Sequence, residues 1–125
     1  AYNFGQGSVR LLWNSAKTSV TGFDSKQNTW GLGATFDVAA NGKLIGQYYK
    51  TNDVSTNAGD INNTGARLFE IGYEHSLSKR TMIKAIYARV SNDSSAAFNF
   101  ANNGVNNVGV DVDPSGLQIG IRHNF

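Results

Sequence analysis

The sequence predicts an all-β fold, an antiparallel transmembrane β-barrel, and three observations support this class. Six segments, each of about ten residues, alternate apolar and polar side chains. The connections between these segments are long and short in turn. The composition has 14 Gly and one Pro among 125 residues, which favours strands and turns over helices.

The bulk composition excludes several other classes. No apolar run approaches the ~20 residues that a membrane-spanning helix needs. The 125 residues contain no cysteine, which removes disulfide frameworks, thiolate metal sites and cysteine nucleophiles. The formal net charge is only +2 and the bases are scattered, so we expect no nucleic-acid partner. The length allows one domain at most.

The clearest strand signal is TWGLGATFDV, residues 29–38. One face of this segment holds Trp30, Leu32, Ala34, Phe36 and Val38, and the other holds Thr, Gly and Asp37. Such strict alternation predicts a strand with one apolar face. The same period occurs in five other segments: SVRLLWNS, KLIGQYYKT, LFEIGYEHSL, TMIKAIYARV and GLQIGIRHNF. The phase of KLIGQYYKT is ambiguous, because each of its faces would hold a tyrosine and a lysine.

The connections predict that the two ends of the sheet differ. Three are long, namely KTSVTGFDSKQN, TNDVSTNAGDINNTGA and SNDSSAAFNFANNGVNNVGVDVDP, and two are tight, namely AANG and LSKR. Transmembrane β-barrels carry short turns at one end and long loops at the other. Their strands need ~9–11 residues to cross the bilayer, whereas soluble strands more often stop at ~5–6.

Alternation alone does not say which face meets water. In a soluble barrel the apolar face would point inward, and in a membrane barrel it points to lipid. The membrane interpretation is favoured because charges collect on the face opposite the aromatic residues. We therefore predict that six charged residues line a water-filled lumen: Arg10, Asp37, Glu70, Glu74, Lys84 and Arg122.

Eight residues of the opposite face are predicted to contact lipid or a neighbouring subunit: Trp13, Trp30, Leu32, Phe36, Ile71, Tyr73, Ile119 and Ile121. Among the predicted lumen charges, Arg10, Lys84 and Arg122 are the candidates for selecting ions by sign. An equally open alternative is that these bases form salt bridges with the acids along the wall. On these phases the six charges cancel, three against three.

Two stretches resemble the closing strands of general trimeric porins of Gram-negative bacteria, particularly the β-proteobacterial type. They are GYEHSLSKRTMIKAIYARVSN and DPSGLQIGIRHNF. In that family a Tyr-rich strand runs into an LSKRT turn, here Leu77–Thr81, and the chain ends in a G-x-R-H-x-F strand, here Gly120–Phe125. The resemblance extends over most of the chain, from about Val9 onward.

The resemblance implies an outer-membrane homotrimer that admits small hydrophilic solutes and ions by passive diffusion. With the pI of 9.0 it also implies a preference for anions. It identifies Phe125 as part of the signal that the barrel assembly machinery reads, and places Leu117–Phe125 near the trimer contact. Porin barrels of this type are sixteen-stranded, so residues 1–125 are expected to be a single partial domain, the C-terminal six strands. The family's constricting loop and most constriction arginines would lie elsewhere.

Enzymatic and metal sites are weakly supported. Glu70 and Glu74 are about 13 Å apart along one strand, beyond the ~5–9.5 Å of glycosidase pairs. His75 and His123 share no carboxylate nearby and are expected at one height in an interfacial girdle. Asp111 and Asp113 could lend oxygens to Ca²⁺, but a solvated loop is the preferred interpretation. We expect no cofactor and no enzyme.

Two other functions are weighed against the porin. The first is a soluble or periplasmic β-barrel that binds an apolar ligand inside. The second is an outer-membrane barrel enzyme, which would need a Ser/His/Asp constellation that the sequence does not supply.

Overall fold

The computed structural model describes residues 1–100 and 108–125, which form one antiparallel sheet. Its strands are β1 (Tyr2–Phe4), β2 (Gly7–Val20), β3 (Phe23–Ala39), β4 (Gly42–Thr51), β5 (Val54–Thr56), β6 (Gly59–Ile61), β7 (Ala66–Ser76), β8 (Thr81–Asn92) and β9 (Ser115–His123). The main path follows the order β1-β2-β3-β4-β7-β8-β9. The described residues include no helix with the length and hydropathy to cross a membrane. The predicted all-β antiparallel fold is confirmed.

All six predicted strands are present, as β2, β3, β4, β7, β8 and β9. The additional strand β1 pairs with the start of β2, with Phe4 opposite Gly7. The turn between them contains Gly5 at φ +37°, a conformation that glycine adopts without steric cost. Three residues are too few to show a period, which is why the sequence analysis missed β1.

The prediction of a long loop at KTSVTGFDSKQN is wrong. β2 continues to Val20 and β3 begins at Phe23, so only Thr21 and Gly22 lie between the strands. Gly22 has φ +79°, which suits glycine at the tip of a hairpin. We call residues 17–28 the β2–β3 extension. Polar residues occur on both of its faces, so the sequence shows no amphipathic period there, and the strands are formed by backbone pairing.

The second long connection also contains ordered strands. β5 and β6 form a small hairpin that pairs with the β3 extension, with Ser25 opposite Thr56. The Asp53 carboxylate fixes the segment that leads from β6 into β7. Its Oδ1 accepts from the backbone N–H groups of Thr64 (2.8 Å) and Gly65 (2.9 Å). Such Asx contacts stabilise a turn that would otherwise leave amide groups unpaired.

The two ends of the sheet differ as expected. The tight-turn end carries residues 5–6, 40–41 and 77–80. The loop end carries the β2–β3 hairpin tip, the β5–β6 hairpin and the β8–β9 connection. This asymmetry is typical of transmembrane β-barrels.

Cross-strand register divides the side chains between two faces, because directly paired residues point to the same side of an antiparallel sheet. We call the face that holds Arg10, Glu70 and Lys84 the charged face. We call the face that holds Trp13 and Trp30 the aromatic face. The ambiguous phase of β4 is settled by its neighbours, which place Lys43 and Tyr49 on the charged face.

The sheet has very little core. In the described part of the chain, the hydrophobic residues buried as a core are Ala66, Val90 and Ala96. Large apolar side chains of the aromatic face remain open, and Ile121 is 72% exposed. An apolar surface of this extent marks a membrane or protein contact rather than a solvated wall.

Candidate functional site

The six predicted lumen residues all lie on the charged face. Arg10 and Glu70 belong to one cross-strand row, together with Gly33, Gln47 and Ala88. Asp37, Glu74 and Lys84 belong to another row. Arg122 pairs with Met82, one row nearer the tight-turn end.

The row near the tight-turn end is a ladder of alternating charge. It runs Asp37, Lys43, Glu74, Lys84 across four neighbouring strands. Lys43 Nζ lies 3.8 Å from Asp37 Oδ1, and Lys84 Nζ lies 3.2 Å from Glu74 Oε1. Opposite charges that face each other across strands stabilise the pairing by about 0.2–1 kcal/mol. The pairs are partly exposed, so their main effect is on register and local field.

Lys43 is a residue that the sequence analysis missed. The ambiguous phase of KLIGQYYKT hid its face, although the tight AANG turn could have shown that Lys43 comes opposite Asp37. With Lys43 included, the strand residues of the charged face hold four bases and three acids: Arg10, Lys43, Lys84 and Arg122, against Asp37, Glu70 and Glu74. The six predicted charges still cancel, and Lys43 adds one base to this face.

The sequence left two interpretations of the bases open, ion selection and salt bridging along the wall. Each applies to different residues. Lys84 is salt-bridged to Glu74. Arg10 and Arg122 have no acid within 4.0 Å in the part of the chain that the structure describes. These two guanidinium groups are therefore the ones whose charge is not locally neutralised.

A groove of about 450 Å³ borders Arg10 on the charged face. Its floor is formed by Gly31 and Gly33, and its far side by Gln47 and Tyr49. The Tyr49 ring lies against Gly31, where a Cβ atom would collide with it. The Tyr49 hydroxyl donates to Gln47 Oε1 at 2.9 Å. This hydrogen bond and the contact with Gly31 hold the ring against the sheet.

The hydrogen bonds of this groove continue to an acid. Gln47 Nε2 donates to Glu70 Oε1 at 3.3 Å. Glu70 and Arg10 thus lie in one row on opposite sides of the glycine floor. The groove therefore combines a few polar groups, Arg10 and Gln47 among them, with apolar neighbours such as Leu12.

The eight residues predicted to face lipid or a subunit all lie on the aromatic face. Trp13 pairs with Trp30, and the Trp30 and Tyr48 rings are 5.7 Å apart. Next to Trp30 this face carries Lys50, which pairs with Arg67 at the loop end. Aromatic rings bordered by bases are typical of a membrane–water boundary.

Comparison with known proteins agrees with this geometry. A family model described as Gram-negative porin matches residues 1–97. The chain belongs to this porin family. The outer membrane porin protein 32 of Delftia acidovorans is 32% identical over 130 residues, which cover 100% of this chain and 35% of that relative. The porin chain therefore spans about a third of the length of the curated relative it matches.

Membership of the family confirms three predictions made from the sequence. The chain is part of a porin, it belongs to the bacterial outer membrane, and its family is one of porins rather than of enzymes. The soluble barrel for an apolar ligand and the barrel enzyme are therefore wrong.

The tight-turn end of the porin sheet pairs aromatic rings with histidines. The Tyr73 hydroxyl and His75 Nδ1 are 3.1 Å apart, and the His123 and Phe125 rings meet edge to face at 4.9 Å. Both histidines lie on the aromatic face. His123 pairs with Thr81, whereas the His75 row contains Ile121, so the two imidazoles occupy neighbouring rows.

The Asp113 carboxylate is held by two groups of β8. Its Oδ1 accepts from the Asn92 backbone N–H at 2.8 Å, and its Oδ2 accepts from Arg89 Nη2 at 3.0 Å. The Asn92 hydrogen bond, followed by the Arg89 contact, lowers the pKa of Asp113. Asp111 has φ +61° and donates its backbone N–H to Ala96 O at 3.0 Å. Both residues therefore shape the β8–β9 connection.

Proposed function

We propose that this chain is the C-terminal portion of a longer porin and forms part of the wall of a water-filled channel. Small hydrophilic solutes and ions diffuse through the channel passively, selected by size and by charge. The observation that carries this proposal is the segregation of the two faces. From the Arg10 row to the tight-turn end, all seven charged strand residues of the described chain lie on the charged face. The aromatic face carries charged strand residues only on the loop side of that row, namely Lys17, Asp24, Lys26, Lys50, Asp60, Arg67 and Arg89.

The segregation supports a lumen on the charged side. Charged groups facing hydrocarbon are costly, so a row such as Asp37 to Lys84 needs water beside it. Exposed side chains such as Ile121 gain by contact with lipid or with a neighbouring subunit. Short turns face the periplasm in bacterial barrels, which gives the tight-turn end a periplasmic orientation.

An anion preference follows from the unequal charges of this wall. Four bases face three acids, and the bases without an acidic neighbour among the described residues are Arg10 and Arg122. Rings and ladders of uncompensated positive charge favour anions in a pore. The sequence pI of about 9.0 agrees in sign.

Assembly as a homotrimer is the second part of the proposal. The open aromatic face offers the apolar surface for subunit contact. The family resemblance implies that Leu117–Phe125 lies nearest to this contact. Phe125 is fully exposed beside His123, which leaves its ring accessible to the barrel assembly machinery.

The proposal is tested by inserting the complete porin into planar bilayers. We expect ohmic steps of conductance that rise with salt concentration, and a reversal potential of anion-selective sign under a KCl gradient. Denaturing gels without boiling should show an oligomer that collapses on heating. A protein that inserts but conducts no ions would contradict the channel, and a cation-selective reversal potential would contradict the anion preference alone.

A further inference from the structure

The turn between β7 and β8, residues 77–80, has a fixed backbone. Ser78 Oγ accepts from the N–H groups of Arg80 and Thr81, each at 3.1 Å. Such a serine contact stabilises a turn by pairing amide groups that lie outside the strand ladder. Arg80 O accepts from the Asn124 N–H at 2.9 Å, which ties the turn to the segment that follows β9. The bases of this turn therefore extend from a backbone that is held next to β9.

A pocket of about 210 Å³ lies where this turn meets the charged face. Ser76, Met82 and Arg122 line it, and they form the cross-strand row of this face nearest to the tight-turn end. Lys79 and Arg80 line it from the turn. Three cationic side chains, one from a strand and two from a turn, thus border one small cavity.

The charged side chains around this pocket are all positive. Its lining contains no acidic side chain among the described residues. In the same part of the chain, Lys79, Arg80 and Arg122 have no acidic group within 4.0 Å. The neighbouring row of the charged face contains Glu74, but the Glu74 carboxylate lies 3.2 Å from Lys84 Nζ. The field of the three bases is therefore not cancelled locally, and the pocket attracts anions.

The donors of the pocket indicate which anion fits. The two guanidinium groups present planar forks of N–H donors, which match the oxygens of a phosphate group. Lys79 adds a compact positive charge, and Ser76 and Asn124 add neutral donors. A phosphate group carries close to two negative charges near neutral pH and has several acceptor oxygens. It therefore uses more of these donors than a chloride ion does.

We propose that Lys79, Arg80 and Arg122 form a binding site for phosphate groups at the periplasmic rim of the channel. This inference rests on the proposed function, because it takes the charged face as the lumen wall and the tight-turn end as its periplasmic end. The site takes free phosphate or the phosphate group of a small solute. A phosphate bound there lies beside the last row of the wall, where it hinders the passage of chloride.

The first experiment measures block of the chloride current in the complete porin. Inorganic phosphate, added at constant ionic strength, should lower the single-channel chloride current until the effect saturates. Lys79→Gln, Arg80→Gln and Arg122→Gln should each raise the half-blocking concentration roughly three- to tenfold, because each removes a charge-assisted contact. Arg67→Gln is the matched control, since Arg67 lies on the aromatic face at the loop end, and it should leave the half-blocking concentration unchanged.

A conservative variant separates recognition of phosphate from the charge of the lumen. Arg122→Lys keeps the positive charge but loses the planar fork. It should leave the reversal potential in a KCl gradient unchanged while it raises the half-blocking concentration of phosphate. A half-blocking concentration that follows the reversal potential in every variant would refute the site, because the charge of the lumen would then explain both.

Two further probes distinguish the sources of the phosphate group. Block by glycerol 3-phosphate at about the concentration of inorganic phosphate would show that the site accepts the phosphate group of a larger solute. Block by inorganic phosphate alone would show that it takes the free ion. Glycerol should not block, and block by glycerol equal to that by glycerol 3-phosphate would contradict recognition of that solute through its phosphate.

The outcomes separate the inference from the proposed function. If phosphate blocks the unsubstituted porin and the three glutamine variants equally, the phosphate site is refuted and the channel stands. If the porin inserts but conducts no ions, the proposed function falls, and calorimetric titration of the detergent-solubilised porin with inorganic phosphate tests the site on its own. Heat of binding that is lost in Arg122→Gln and kept in Arg67→Gln would support the site. No heat of binding in the unsubstituted porin would refute it.

Discussion

Glu74 and Lys84 face each other directly on β7 and β8, with 3.2 Å between Oε1 and Nζ. The row continues through Lys43 to Asp37, so each charge has an opposite neighbour across a strand boundary. Side chains alternate between faces, and a slip of one residue would carry the charged residues of a strand to the aromatic side. The ladder therefore favours the register that keeps the charged face polar.

Glu74→Gln should shift the reversal potential of the channel further toward anions. The substitution leaves Lys84 without its partner while changing side-chain volume little. The free energy of unfolding should fall by no more than about 1 kcal/mol, because the Lys84 and Glu74 side chains are 44% and 22% exposed. A second substitution, Lys84→Gln, should return the potential toward its original value. A potential that does not move in Glu74→Gln would place this pair outside the conducting path.

Arg10→Gln and Arg122→Gln should each move the reversal potential toward cations. Neither guanidinium is within 4.0 Å of an acid in the described chain, so each removal takes away an uncompensated positive charge. Arg67→Gln is the control, because Arg67 lies on the aromatic face. An equal shift in all three variants would mean that net charge, rather than the charged face, sets the selectivity.

The strand positions and faces could be predicted because alternation is a local property of the sequence. The six lumen candidates and eight aromatic-face candidates shared faces as expected. The face of Lys43 could not be read from alternation alone. It follows from the pairing of Lys43 with Asp37 across a turn, which is a contact between two strands. The Asn92 side chain donates to carbonyl groups that lie six and twenty residues away, and no local pattern predicts such contacts.

The β2–β3 extension shows a second limit of periodicity. Strand formation between Asn14 and Asn28 depends on backbone pairing, since polar residues occupy both faces. Lys17 and Asp24 add an ion pair at 3.5 Å. A polar segment with a Thr-Gly pair resembles a loop in the sequence. Only its pairing with a partner strand shows that it is a strand and not a loop.

Gly31→Ala should destabilise the folded porin by about 1–3 kcal/mol, the usual cost of forcing a group into occupied space. The added methyl group would collide with the Tyr49 ring. Gly33→Ala is a matched control on the same strand and face, because its nearest neighbours would lie 4.0 Å away. The midpoint of urea unfolding should fall for the first variant and hold or rise for the second. Equal midpoints for the two variants would contradict the packing of Tyr49 on Gly31.

Acid should loosen the described part of the β8–β9 connection through Asp113. The pKa of this carboxyl lies below the ordinary value of 3.8, first because of the Asn92 N–H and then because of Arg89. A depressed pKa means that the carboxylate stabilises the folded connection above pH 3.8 and that this contribution is lost as the pH falls through the lower, folded-state value. The hydrogen-exchange protection of the Asn92 amide, which donates to Asp113, should therefore stay constant from neutral pH down to that value and fall below it.

Asp113→Asn provides the matched test at neutral pH. The amide keeps the size of the side chain but cannot accept the charge-assisted bond from Arg89, so the protection of the Asn92 amide at neutral pH should approach its acid value in the unsubstituted porin. Asp24→Asn is the control, because Asp24 is also held by an ion pair, with Lys17 on the β2–β3 extension. In this variant the protection of the Asn92 amide should match that of the unsubstituted porin at neutral pH. If Asp24→Asn and Asp113→Asn lowered the protection alike, the effect would be general loosening of the loop end, and Asp113 would have no specific part in holding the connection.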